Sequence, residues 1–122
     1  MTTTQEIFDI VWAHAHTMNG PCRDDLSFGM LRNREGSKCF IGALIADEDY
    51  KPELEDRYCN VIDNIAKGID DMSRSDGSRF LHKLRSAHDG PTSHSVEWKK
   101  AAIRELIRIA EEYTLIIPDE QY

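Results

Sequence analysis

The chain contains no Cys-x-x-Cys pair, and its three cysteines, Cys22, Cys39 and Cys59, are odd in number. That pattern argues against a secreted disulfide framework and against a four-cysteine zinc site, and makes reduced thiols the expectation. Glycine and proline are scarce, at 7 and 4 residues, and 40% hydrophobic with 30% charged residues is the profile of a folded chain. No apolar run approaches the roughly 20 residues needed to cross a bilayer. The opening MTTTQEIFDI has no basic region leading into an apolar stretch. A cytoplasmic protein with no membrane contact is therefore expected. Its 122 residues suit a single domain, 1–122, with residues 115–122 as a candidate flexible tail.

Metal-ligand patterns are missing as well. His14 and His16 fall on different faces of a helix, and His82, His88 and His94 recur six apart, which matches neither ligand spacing nor a helical face. The acids from Asp47 to Asp56 lack the alternating carboxylates and central glycine of a calcium loop. No metal and no cofactor is expected.

What the sequence does have is charge, unevenly placed. The net charge is −7. Residues 47–71 hold nine acids against Lys51, Arg57 and Lys67, a local balance of −6. Residues 73–108 reverse the sign, with eight bases against four acids, and the last fourteen residues carry four acids and no base. An acidic surface repels phosphate backbones, so nucleic acid is not the expected partner unless the basic segment gathers on one face. Trp98 with Lys99, Lys100, Arg104 and Arg108 would be the residues to stack and pair there, but Trp98 falls on an apolar stripe and nearby glutamates dilute the face.

Periodicity supplies the elements. Thr3-x-x-Glu6 is a capping-box pattern, and Ile7, Ile10, Val11, His14 and Met18, widened by Phe8, Trp12 and Ala15, predict a helix over about 4–18. His14 on that face reads as a hydrogen-bonded core histidine. Leu26, Phe28 and Met30 alternate with small or polar residues, and after Arg34-Glu35-Gly36 the chain resumes with Lys38-Cys39-Phe40-Ile41, which reads as a β-hairpin. Ile41, Leu44 and Ile45 then take helical spacing, which puts Cys39 near a strand-to-helix junction. Val61, Ile62, Ile65, Ala66 and Ile69 predict a helix that Gly68 helps to end. A polar link, Ser73 to Gly77, precedes a helix through Phe80, Leu81, Leu84, Ala87 and His88. The loop Thr92 to Ser95 then caps a last helix over about 96–113, whose stripe is Trp98, Ala102, Leu106, Ile109 and Tyr113. The expected fold class is α+β: a mostly helical single domain with one small antiparallel hairpin or sheet.

The run RNREGSKCFIGAL at 32–44, followed by Ile45, Asp47, Tyr50, Pro52, Glu53 and Glu55, and later by LHKLRSAHD and Trp98, resembles a family of small uncharacterised proteins of tailed phages and prophage-bearing bacteria. The likeness covers most of the chain, and its core is Lys-Cys-x-Ile-Gly-x-Leu-Ile with a late His-Asp. The sequence departs from the pattern at Gly29, where the family tends to place a second cysteine, and at Phe40 and Arg85. The absent cysteine speaks against two-thiol chemistry. The resemblance implies a phage or prophage setting and an accessory protein acting on host processes or host defence.

Two function classes follow. Cys39, His88 and Asp89 could supply a nucleophile, a base and an orienting carboxylate, since a thiolate at a helix N-terminus is stabilised by the dipole and an imidazole can take its proton. That would make a thiol-dependent hydrolase or transferase. Free cysteines are nonetheless among the most buried residues, and Phe40 and Ile41 suit a core. The leading expectation is a small acidic binding protein, a regulator or inhibitor of a host protein with a basic surface, engaging it through the acidic surface at 47–56, with Asp47, Glu48, Asp49, Tyr50, Glu53 and Glu55, and through the acidic tail.

Overall fold

The computed structural model describes residues 2–18, 20, 22, 31–33, 37–90 and 96–118. Helical periodicity becomes four α-helices among them: α1 (Thr4–Thr17), α2 (Tyr58–Lys67), α3 (Arg74–Asp89) and α4 (Val96–Glu112). Three 3₁₀ segments, Gly42–Leu44, Asp47–Asp49 and Pro52–Arg57, lie between α1 and α2. α3 packs against both α2 and α4, while α1 packs on α4 and on the Gly42–Leu44 turn.

Each helix buries one stripe at three- and four-residue steps: Ile7, Phe8, Val11, Trp12 and Ala15 on α1, Val61, Ile62 and Ala66 on α2, Phe80, Leu81, Leu84, Ala87 and His88 on α3, and Trp98, Ala102, Leu106, Ile109 and Ala110 on α4. Each fully buried large apolar side chain contributes roughly 1.5–3 kcal/mol of transfer free energy. The α1 stripe is rotated from the expected one, and Ile10 is 47% exposed. His14 is hydrogen-bonded as expected, its Nε2–H donating to the Lys38 carbonyl at 2.8 Å, but it is half-buried at the edge of the core rather than within it.

Helix ends are fastened by side chains that the sequence places there. Thr3 Oγ1 accepts the Glu6 amide at 3.1 Å, and Glu6 accepts the Thr3 amide at 2.8 Å, completing the capping box. Such a cap is worth about 1 kcal/mol. A second anchor is remote in sequence: Asp71 accepts both the Thr4 amide at 2.9 Å and the Thr4 hydroxyl at 2.7 Å. Ser73, expected in a polar link, instead caps α3 by accepting the Asp76 amide at 3.1 Å. Gly77 lies inside α3, where its missing side chain lets the helix approach Ile69 and Ala66. At the far end of α4, the Thr114 amide reaches the Glu111 carbonyl and the Leu115 amide reaches the Ala110 carbonyl, with Thr114 in the left-handed region at φ 56°. This is the helix-ending motif usually made by glycine. Beyond it the chain meets the first turn of α1, where the Gln5 amide group exchanges two hydrogen bonds with the backbone of Ile116.

The α+β expectation is corrected: the described residues contain no strand and no sheet, only two isolated bridges, Thr2 with Ile69 and Arg32 with Lys38. The first proposed arm, Leu26 to Met30, and the turn at 34–36 lie outside the described residues, as does the loop Thr92 to Ser95. The second arm fails for a physical reason. Cys39, Phe40 and Ile41 are consecutive and all buried, whereas a strand with one solvated face buries alternate residues. Directly after them the backbone coils into the Gly42–Leu44 turn. A Cβ at position 42 would lie 2.0 Å from the Leu31 carbonyl oxygen, so only glycine allows the two segments to meet.

Gly42→Ala is expected to lower the unfolding free energy by about 3 kcal/mol or more, or to prevent folding. Urea denaturation measures this, and an unchanged midpoint would show that the two backbones can part at no cost.

Candidate functional site

Arg32 organises the acidic segment from the inside. Its guanidinium donates to the Ile45 carbonyl at 2.6 Å, pairs with Asp47 at 2.9 Å and lies over the Tyr50 ring at 4.8 Å. Tyr50 donates its hydroxyl to Glu55 at 2.6 Å, and Glu55 in turn accepts the amides of Leu31 at 2.9 Å and Arg32 at 3.0 Å. Lys38 adds a second cation to Asp47 at 3.3 Å. Hydrogen bonds and charge from Lys38 and then Arg32 hold the Asp47 carboxyl below the usual range, and partial burial together with the Glu55 bond pushes the Tyr50 hydroxyl up to about 12.

The six candidate binding residues therefore divide. Asp47, Tyr50 and Glu55 are engaged within the chain. Glu48, Asp49 and Glu53 are exposed and their carboxylates have no hydrogen bond or ion pair among the described residues, and Asp56 beside them is in the same state. Sequence reading missed Arg32 as the organiser. An arginine outside any helical stripe leaves no periodic mark, and the Tyr50 to Glu55 spacing belongs to a 3₁₀ turn that composition does not show.

The second candidate, Cys39 with His88 and Asp89, is brought partly together. His88 is wholly buried at the end of α3, ringed by Phe40 and Trp98 at centroid distances of 5.4 and 5.5 Å. The Cys22 amide donates to its Nε2 at 2.8 Å. A backbone amide can only donate, so Nε2 must be the acceptor and Nδ1 carries the proton, which it gives to Asp89 at 2.6 Å. Burial alone would raise the Asp89 carboxyl, but the His88 bond and the Arg85 guanidinium at 3.3 Å outweigh it, and the group is lowered. Arg85 also stacks on the Tyr58 ring at 4.0 Å.

Cys39 stands apart from the pair. No hydrogen bond joins it to His88; its sulfur accepts the Gly42 amide at 3.2 Å and lies 3.9 Å from the Tyr58 hydroxyl. Burial pushes the thiol up to about 11 despite those bonds, and Cys22 is raised by burial to about 12. The Gly42–Leu44 turn spans three residues, too short to present a helix dipole to the sulfur. His88 has its acceptor nitrogen occupied by a backbone amide. No family model, curated protein or solved structure matches this chain. Function has to be read from the geometry.

Trp98 is buried, its indole N–H donating to the His88 carbonyl at 2.9 Å, so it is not presented for base stacking. Among the described residues no three His, Cys, Asp or Glu side chains converge, and no helix is long and apolar enough to cross a membrane.

Two outcomes are expected. With a maleimide at neutral pH, mass spectrometry should find exposed Cys59 labelled first, and Cys22 and Cys39 only as the chain opens; prompt labelling of Cys39 would restore it as a nucleophile. Asp89 is lowered in the folded state, so its contribution to stability is present above about pH 3.9 and lost as pH falls through the folded value. Asp89→Asn should therefore be less stable than the parent near neutrality, with the gap closing below about pH 4. Denaturant titrations across that range measure it, and a gap that stays constant into acid would remove the charge from the account.

Proposed function

We propose that this protein acts by binding another protein, with the acidic segment 46–57 as its docking surface. The observation that carries the reading is the division of labour around Arg32. Asp47, Tyr50 and Glu55 fix the segment to the body of the fold, so that Glu48, Asp49, Glu53 and Asp56 stand outward from a held backbone. A patch ordered before encounter loses less conformational entropy on binding than a floppy loop, and clustered charge speeds association with an oppositely charged surface. Lys51 and Arg57 are the only bases in the segment.

The partner is a protein with a basic surface. Given the phage-type resemblance of the sequence, the expected partner is a host protein such as a defence component, and the chain its regulator or inhibitor within the cytoplasm. A thiol-dependent hydrolase or transferase has less support, since the Cys39 sulfur is buried and raised and the His88 acceptor is occupied.

The test is charge reversal. Glu48→Lys with Asp49→Lys should leave thermal stability nearly unchanged, because these exposed carboxylates make no hydrogen bond or ion pair among the described residues, and should weaken capture of a basic host protein about tenfold or more. Thermal melts check the first arm, and pull-down with association and dissociation rates measured against salt checks the second. Undiminished capture by the reversed variant would sink the acidic-surface reading.

A further inference from the structure

The opposite charge has its own place in the fold. α3 and α4 leave an open groove of about 570 Å³ between them. Its apolar lining is Ala87, Gly90, Ala101 and Ile109, and its charged lining is Lys83, Arg104 and Arg108 with Glu105 and Glu112. Two of the three cations are answered from within, Lys83 by Glu112 and Arg108 by Glu105 at 3.0 Å. Arg104 is exposed and has no ion pair or hydrogen bond among the described residues. Lys100, Arg104 and Arg108 stand four residues apart and so form one row along α4. In a chain of net charge −7 such a row is a local reversal of sign.

We propose that this groove is a docking site for an acidic amphipathic helix of a partner protein. Length, lining and charge each support that occupant. From Ala101 to Glu112 the groove runs along about 16 Å of α4, three helical turns. The small lining residues Ala87, Gly90 and Ala101 let a third helix lie close to α3 and α4 and bury an apolar stripe, the usual mode of helix-in-groove recognition. Arg104 and Arg108 of that row, with Lys83 opposite, then face carboxylates on the flank of the incoming helix, and Arg104 gains the partner that the described residues do not supply. A phosphate backbone would meet Glu105 and Glu112 in the same lining, which carboxylates at chosen helical positions can avoid. The site is separate from the acidic segment and does not depend on it.

The probe is a fluorescein-labelled synthetic peptide of roughly 15 residues, about four turns, with leucine on one helical face and glutamate on its flanks. Fluorescence anisotropy should show binding that weakens as salt rises. Arg104→Glu should weaken it about fivefold or more at unchanged thermal stability, since the side chain is exposed and has no ion pair among the described residues. Glu48→Lys with Asp49→Lys should not weaken it, which separates this site from the acidic surface. Amide shifts in ¹H–¹⁵N spectra should cluster on residues 83–90 and 101–112. The proposal is overturned by any of four results: no binding below about 1 mM, affinity indifferent to Arg104→Glu, shifts on another face, or duplex DNA displacing the peptide from the groove. Concentration-dependent self-association that occludes the groove would also overturn it, by naming a second copy as the occupant.

Discussion

Residue 31 is held from three directions, and much of the fold hangs on that bracket. Its carbonyl accepts the Cys39 amide at 3.0 Å and leaves no room for a side chain at Gly42, while its own amide is taken by Glu55. The close approach of Gly42 turns the chain inward straight after Cys39, Phe40 and Ile41, burying all three beneath α1 and against the end of α3. It also brings Glu55 back to the start of the same segment, with Arg32 enclosed between them. The acidic stretch is shaped by this backbone contact rather than by its own charges, most of which would repel a compact arrangement.

The helices were legible because each repeats an apolar residue every three or four positions and buries it against its neighbours. The Thr3 and Glu6 cap was legible because it is local. The hairpin was misread because the Lys38 to Ile41 run looks like a strand one residue at a time, and only burial on both sides, which depends on α1 and α3, shows otherwise. Asp71 holding Thr4, and Gln5 holding Ile116, leave no sequence signal at all, being contacts between distant residues. For the candidate sites, the acidic excess of 47–71 could be counted in advance, but not which carboxylates face inward. Cys39 and the His88 and Asp89 pair could be named, but the Cys22 amide that occupies His88 comes from a segment with no periodic pattern.

Charge is thus sorted twice, by sign along the chain and by role within each cluster. Acids that meet a backbone amide or a guanidinium fix shape; those left over give the surface its field. The same division runs through α3 and α4, where Glu105 and Glu112 restrain two cations and leave a third outward. A surface with separated poles orients an approaching partner before contact, which favours specificity more than raw affinity.

The Gln5 to Ile116 pairing joins residues 111 apart in sequence. Closing a loop of that size costs about 4 kcal/mol of chain entropy beyond its constant part, more than two exposed hydrogen bonds return. That contact cannot seed folding. It forms once the four helices have already brought residues 5 and 116 together. Solvent exchange at the Ile116 amide consequently reads the breathing of this end of the molecule, on a timescale separate from global unfolding.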